Sequence, residues 1–201
     1  MYRVVLTIVG CSTLIAQSNN NRITNTSDST LAAAVTLGSL LPANSSIISA
    51  GQVQFQIRNR NDASGYRLDA SATFTTTTTA SVSGGSTIAA SDIGIGIISV
   101  VAQSNVIVPR VDAILPGFNY DPTGATVANG LTPYRGASLG QATIADLLTS
   151  KKILSGPKIA STINFPQPNA LTVTVKTGVL PQYFTPCNFT AIITLTLSDG
   201  P

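Results

Sequence analysis

The sequence predicts an all-β protein: a single antiparallel β-sandwich, immunoglobulin-like or jelly-roll-like, with one short helix near residues 143–154. Three observations predict it. Several stretches alternate apolar and polar residues with a period of two, the pattern of a strand buried on one face and wet on the other. Clusters of Gly, Pro, Asn, Asp and Ser separate these stretches, as turns do. The third is compositional: there is no Glu and there are only four Lys, the residues a helix favours on its solvent face. With 201 residues, 43% of them apolar, the chain suffices for one sizeable core and one domain.

Residues 1–16 read as a secretory signal peptide. Arg3 precedes a mostly apolar run, and cleavage is expected near Ala16 and Gln17. Two other readings stay open. Ile8, Val9, Gly10 and Cys11 resemble a bacterial lipobox, which would make Cys11 a lipidated residue; alternatively the segment is retained as a strand or membrane stub. A spanning helix needs about 20 apolar residues, and no stretch reaches that, so no transmembrane span is expected. Residues 17–29 are polar and read as a flexible start, which leaves 30–201 for the sandwich.

Residues 30–41 combine Val and Thr with a stop at Pro42 and read as a strand. Residues 49–58 alternate cleanly, with Val53, Phe55 and Ile57 on one side and Gln52, Gln54, Gln56 and Arg58 on the other. Asn59, Asp62 and Gly65 mark a turn. Tyr66, Leu68, Ala70, Ala72 and Phe74 then restart the alternation, so the two strands are expected to pair as a hairpin or as neighbours. The five threonines at 75–79 prolong the second strand.

After a turn at 83–86, residues 87–101 read as a strand buried on both faces or broken by a bulge. Residues 106–114 alternate around Pro109, which suits an edge strand. Residues 115–140 read as a long ordered loop, a kind of segment that is usually functional in a compact domain. The helix is placed at 143–154 by the spacing of Ile144, Leu147 and Leu148. Strands are expected again over 158–165, 171–176 and 189–197, the last with Ala191, Ile193, Leu195 and Leu197 on one side.

The chemistry is bounded by what is missing. The chain has no His, so a Ser-His-Asp triad, a Cys-His dyad and His-ligated metals are excluded. Its two cysteines, Cys11 and Cys187, cannot build a four-cysteine metal site. No enzyme, cofactor or metal is expected. Ser155 and Lys158, with Lys176, Thr177 and Gly178, match the Ser-x-x-Lys and Lys-Thr-Gly elements of penicillin-binding proteins. Gly156 and Pro157 fill the gap where that chemistry needs a helical turn, and the reading fails. Asp62 with Asp69, and Asp112 with Asp121, lack the dense spacing of a calcium loop and read as solvated turn residues.

Arg58, Arg60 and Arg67 gather around one turn with Tyr66, but Asp62 and Asp69 lie among them. With a net charge of only +3, they read as a charged strand edge and not as a nucleic-acid patch. Cys187 reads as a buried thiol beside Phe184 and Phe189. In the loop 115–140, Phe118, Tyr120 and Tyr134 are candidate rings for stacking on a sugar face; the same three could plug the end of the sandwich.

The stretch Gln-Val-Gln-Phe-Gln-Ile-Arg-Asn at 52–59, the Gly65 and Tyr66 that open 65–72, and the terminal Ala-Ile-Ile-Thr-Leu-Thr-Leu-Ser at 191–198 resemble exported bacterial β-sandwich proteins of the pilin-like and spore-coat-U-like kind. The resemblance implies a subunit of a surface fibre or coat, assembled by β-strand addition; from patterning alone, polar 17–29 followed by apolar 30–41 reads as a segment that could be donated. The chain departs from the pattern in two ways: an intradomain disulfide cannot form once residues 1–16 are removed, and the terminal strand lacks an aromatic residue near its end. The expectation is a non-enzymatic secreted or cell-surface structural or adhesive protein that self-associates or joins another surface protein. The alternative is a carbohydrate- or protein-binding module using the loop 115–140.

Overall fold

The computed structural model describes residues 2–8, 21–25, 32–35, 48–59, 64–78, 87–104, 106–119, 142–160, 170–179 and 187–200. The protein is all-β. Its strands are β1 (Tyr2–Ile8), β2 (Asn21–Asn25), β3 (Ala32–Val35), β4 (Ile48–Asn59), β5 (Tyr66–Thr78), β6 (Ile93–Ala102), β7 (Ala113–Ile114), β8 (Lys151–Gly156), β9 (Leu171–Val179) and β10 (Cys187–Asp199). They form a six-stranded sheet in the order β3-β1-β10-β5-β8-β7 and a four-stranded sheet in the order β2-β4-β9-β6. Every pairing is antiparallel except β1 with β3.

Alternation builds the core. On β10, Ala191, Ile193, Leu195 and Leu197 are buried while Ile192, Thr194, Thr196 and Ser198 between them are half-exposed. Its partner β5 buries Tyr66, Leu68, Ala70 and Ala72. The two run together from Cys187 opposite Thr78 to Asp199 opposite Tyr66, and the threonine run does continue β5. The smaller sheet contributes Val53, Phe55, Ile57, Ile95, Ile97, Val173 and Val175 to the same apolar cluster. Side chains of both sheets thus share one core, the arrangement that removes most apolar area from water.

Several expectations are corrected. β4 and β5 do not pair: they lie in different sheets. A period of two shows which side is buried but not which strand lies alongside. The polar side of β4 is also not uniformly wet, since Gln52 and Gln54 are exposed but Gln56 and Arg58 are buried. The stretch 17–29 contains β2, whose Ile23 is 1% exposed and faces Ile57 in the register.

The helix at 143–154 is replaced by a single 3-10 turn, Ile144–Leu147, followed by β8. Asp146 accepts hydrogen bonds from the Thr143 N–H at 2.8 Å and the Thr143 hydroxyl at 3.0 Å, closing one turn. Ile144 and Leu147 are buried while Leu148 is exposed, so the apolar stripe is too short to sustain a helix. The edge strand expected around Pro109 shrinks to the two residues of β7, and Val108–Pro109 is a cis peptide. Residues 158–160 are not strand; the rest of 158–165 lies outside the described residues. The bulge anticipated in 87–101 is present, between Ile97 and Ser99.

Candidate functional site

Two features of the larger sheet stand out: a strand ribbon that outruns its neighbours and a polar clasp at the start of β5. The first is the β5–β10 ribbon. β1 accompanies β10 only from Leu197 to Ala191, and β8 accompanies β5 only from Tyr66 to Ala70. Among the described residues, the ribbon therefore runs on past both neighbours, to Thr78 and Cys187. Its far end carries Phe74 and Phe189, half-buried, with ring centroids 6.1 Å apart. Thr73, Thr75, Thr76 and Thr77 are exposed there. Among the described residues no further strand pairs with the ribbon beyond those registers, and an edge of that kind is a template for another strand.

The second feature is a polar clasp around Asp112. The Arg110 guanidinium donates from Nε to Oδ2 and from Nη2 to Oδ1 of Asp112, each at 2.7 Å, the bidentate fork that planar guanidinium favours. The Tyr66 hydroxyl donates to Asp112 Oδ1 at 2.7 Å. Arg110 also reaches the carbonyls of Pro157 and Lys158, both at 3.1 Å, and its guanidinium carbon lies 6.0 Å from the centre of the Tyr66 ring.

The room for this cluster comes from a glycine. A side chain on Gly156 would strike Asp112 Oδ1 and crowd Tyr66. Burial, then the Asp112 carboxylate, push the Tyr66 hydroxyl far above the ordinary phenol range. Burial alone would lower Arg110, but hydrogen bonds and charge from Asp112 outweigh it, so the guanidinium is held more firmly charged. Tyr66 has no exposure, so this geometry fixes a segment and presents no reacting group to a ligand. The segment it fixes, 106–111, projects Val108 and Val111, 71% and 83% exposed.

The ring candidates separate. Phe118 is 3% exposed and lines a central void of about 10 Å³ with Ala70, Ile97, Leu147, Ile153 and Leu195. The Phe118 ring is thus a core element, unable to stack on a sugar without opening the interior. Tyr120, Tyr134 and Cys11 lie outside the described residues. The void has an entirely apolar lining and room for no more than one water.

The charged residues also part company. Arg58 is fully buried and donates from Nη2 to Gln56 Oε1 at 2.8 Å on β4. Arg67 pairs on the surface of β5 with Asp69. Arg60, Asp62 and Asp121 lie outside the described residues. Asp92 and Asp146 cap 3-10 turns, and Asp199 accepts from Asn59 Nδ2 at 3.0 Å, tying one sheet to the other. Among the described residues no three His, Cys, Asp or Glu side chains come together as a metal cluster. Ser155 is buried on β8 and Lys176 lies on β9 of the other sheet, which keeps the rejected Ser-Lys reading apart.

Sequence reasoning missed the Arg110–Asp112–Tyr66 clasp. The available signal was an Arg and an Asp two apart after Pro109, and nothing in it shows that the pair turns inward. Among the described residues no helix is long and apolar enough to cross a membrane. No protein-family model, curated protein or solved structure matches the chain.

Proposed function

We infer that the chain is an exported, non-enzymatic structural or adhesive protein of the cell surface, a subunit of a fibre or coat that assembles by adding a strand to its larger sheet. The observation that carries this reading is the β5–β10 ribbon, thirteen residues long on each strand and, among the described residues, accompanied by neighbours along only part of its length. Strand addition draws affinity from main-chain hydrogen bonds and specificity from side chains at alternate positions. An all-β body with 9% charged residues and abundant exposed threonine supports the same reading, as does the leader-like start at 1–16. Self-association or a second surface protein supplies the partner. The binding-module alternative loses Phe118 from its stacking set, because that ring is in the core.

The test is recovery of the protein from the surface fraction of its native host, with intact mass and sedimentation measured. A chain beginning near Gln17 and sedimenting as a polymer is the expected result. An unprocessed monomer confined to the cytoplasm would overturn the reading, and a Cys11-lipidated monomer would favour an anchored binding module.

A further inference from the structure

We propose that residues 107–111 form a membrane-docking tip: their apolar side chains enter the headgroup and upper acyl layer of an anionic lipid bilayer and hold the protein there without spanning it. This goes beyond the strand-addition reading and needs neither a donated strand nor a second copy of the chain.

Exposure points to the segment. Among the described residues, five large apolar side chains are exposed, and three of them, Ile107, Val108 and Val111, fall within five consecutive positions. Val111 and Val108 are the most exposed of the five, and Pro109 between them is exposed as well. A run of this kind costs solubility unless something apolar receives it.

The tip is also firmly held. Val106, at its root, is buried and donates its N–H to the Gln103 carbonyl at 3.1 Å, and the Ile107 N–H donates to the Ile159 carbonyl at 2.9 Å. Arg110 turns inward to the Asp112 carboxylate and to the carbonyls of Pro157 and Lys158. The cation of the stretch and the anion that follows it thus neutralise each other largely out of water, and what projects is uncharged. A segment already ordered loses little freedom when it is immersed.

Size and shape select the occupant. A stable contact between proteins buries on the order of 1,000 Å² or more, and four side chains on one short stretch cover far less. Fluid hydrocarbon needs no matching surface, and each apolar group that enters it gains by leaving water. Charge agrees with a bilayer of anionic lipid. The chain carries +3, and of its four lysines three, Lys151, Lys152 and Lys158, lie on β8 or two residues beyond it, on the strand that pairs with β7. All three are half-buried, and Lys151 also meets Asp146 at 3.5 Å. Long lysine stems can lie along apolar surface while the ammonium reaches the phosphates.

The test uses the full chain with Cys11→Ser and Cys187→Ser, floated with vesicles of phosphatidylethanolamine and phosphatidylglycerol. One form adds Val111→Cys to carry an environment-sensitive fluorophore; another adds Val108→Ser and Val111→Ser. Both positions face solvent, so both forms are expected to keep the parental thermal midpoint. The expected results are flotation of the parent, a blue-shifted label quenched by lipids brominated in their acyl chains, and a loss of binding of about tenfold or more in the double serine form. Binding is expected to weaken on vesicles of phosphatidylcholine alone and at high salt.

A label that stays in water while the protein floats would assign the binding to another segment, the apolar run after Arg3 included, and overturns the inference. A double serine form that floats as the parent does overturns it too. So does a parent that never floats, which leaves the patch to a protein contact. Equal binding to phosphatidylcholine overturns the anionic requirement. The surface-subunit reading is tested separately, by mass and sedimentation in the host.

Discussion

The Tyr66 hydroxyl donates to Asp112 Oδ1 at 2.7 Å, joining the first residue of β5 to a segment 46 positions further along the chain. Asp112 is simultaneously forked by Arg110. The three side chains act as one unit because the carboxylate serves both donors.

Removing the cation from that unit leaves a carboxylate with little water. The side chains of Arg110 and Asp112 are 7% and 13% exposed. Arg110→Ala is expected to cost about 3 kcal/mol, the lower end for stranding a buried charge. Arg110→Met combined with Asp112→Leu is expected to cost less than the two single changes summed. Urea unfolding of the three variants measures both; equal, additive losses would mean that the pair is not coupled.

The clasp also sets an alkaline limit. Tyr66 is held above its ordinary value by burial and by Asp112. A raised folded-state value means that the stabilisation is whole below about pH 10, the ordinary phenol value, and is lost as pH rises from there toward the folded value. Stability is expected to fall above about pH 10 in the parent and to fall less steeply in Tyr66→Phe. Unfolding free energies across that range, with tyrosinate absorbance recorded alongside, check the sign.

Asp146 works in the opposite direction. Burial raises it, but the hydrogen bonds from Thr143 and the charge of Lys151, 3.5 Å away, outweigh burial and hold it below the usual carboxylate value. Its contribution is therefore present above about pH 4 and lost as pH falls through the folded value. Asp146→Asn is expected to flatten the acid limb of the stability profile and leave the alkaline limb unchanged.

At Gly65 the backbone has φ of 74°, and a side chain there would collide with the Gly156 carbonyl oxygen. Gly65→Ala is expected to destabilise by on the order of 1–3 kcal/mol from backbone conformation, with the collision added. Thermal unfolding reads the loss; an unchanged midpoint would show that this turn relaxes freely.

Phe118→Ala separates a core role from a binding role. It is expected to cost about 3–5 kcal/mol, as for other buried Phe truncations, and to enlarge the void beside Leu147 and Ile153. A variant of parental stability would place the ring outside the packed interior.

What was legible in the sequence follows from what alternation encodes. β5 and β10 could be read because each buries one face along most of its length. Their pairing could not, since partner choice is settled by contacts between distant segments. The helix at 143–154 failed because three apolar residues at helical spacing are also what a 3-10 turn leading into a strand can contain. Asp112 read as a solvated turn residue because only the missing side chain at Gly156 makes room for its carboxylate beside Tyr66. The composition around Phe118 left stacking and plugging both open, because proline and glycine mark irregular backbone and not exposure; its N–H donates to the Leu115 carbonyl and its carbonyl accepts from the Ile97 N–H.

The placement of β10 also governs when the protein can fold. This strand lies between β1 and β5 in the larger sheet, yet it follows every other strand in chain order. Pairings between such distant segments form slowly, so the ladders of β10 with β1 and with β5 are expected to close late in folding, after contacts nearer in sequence.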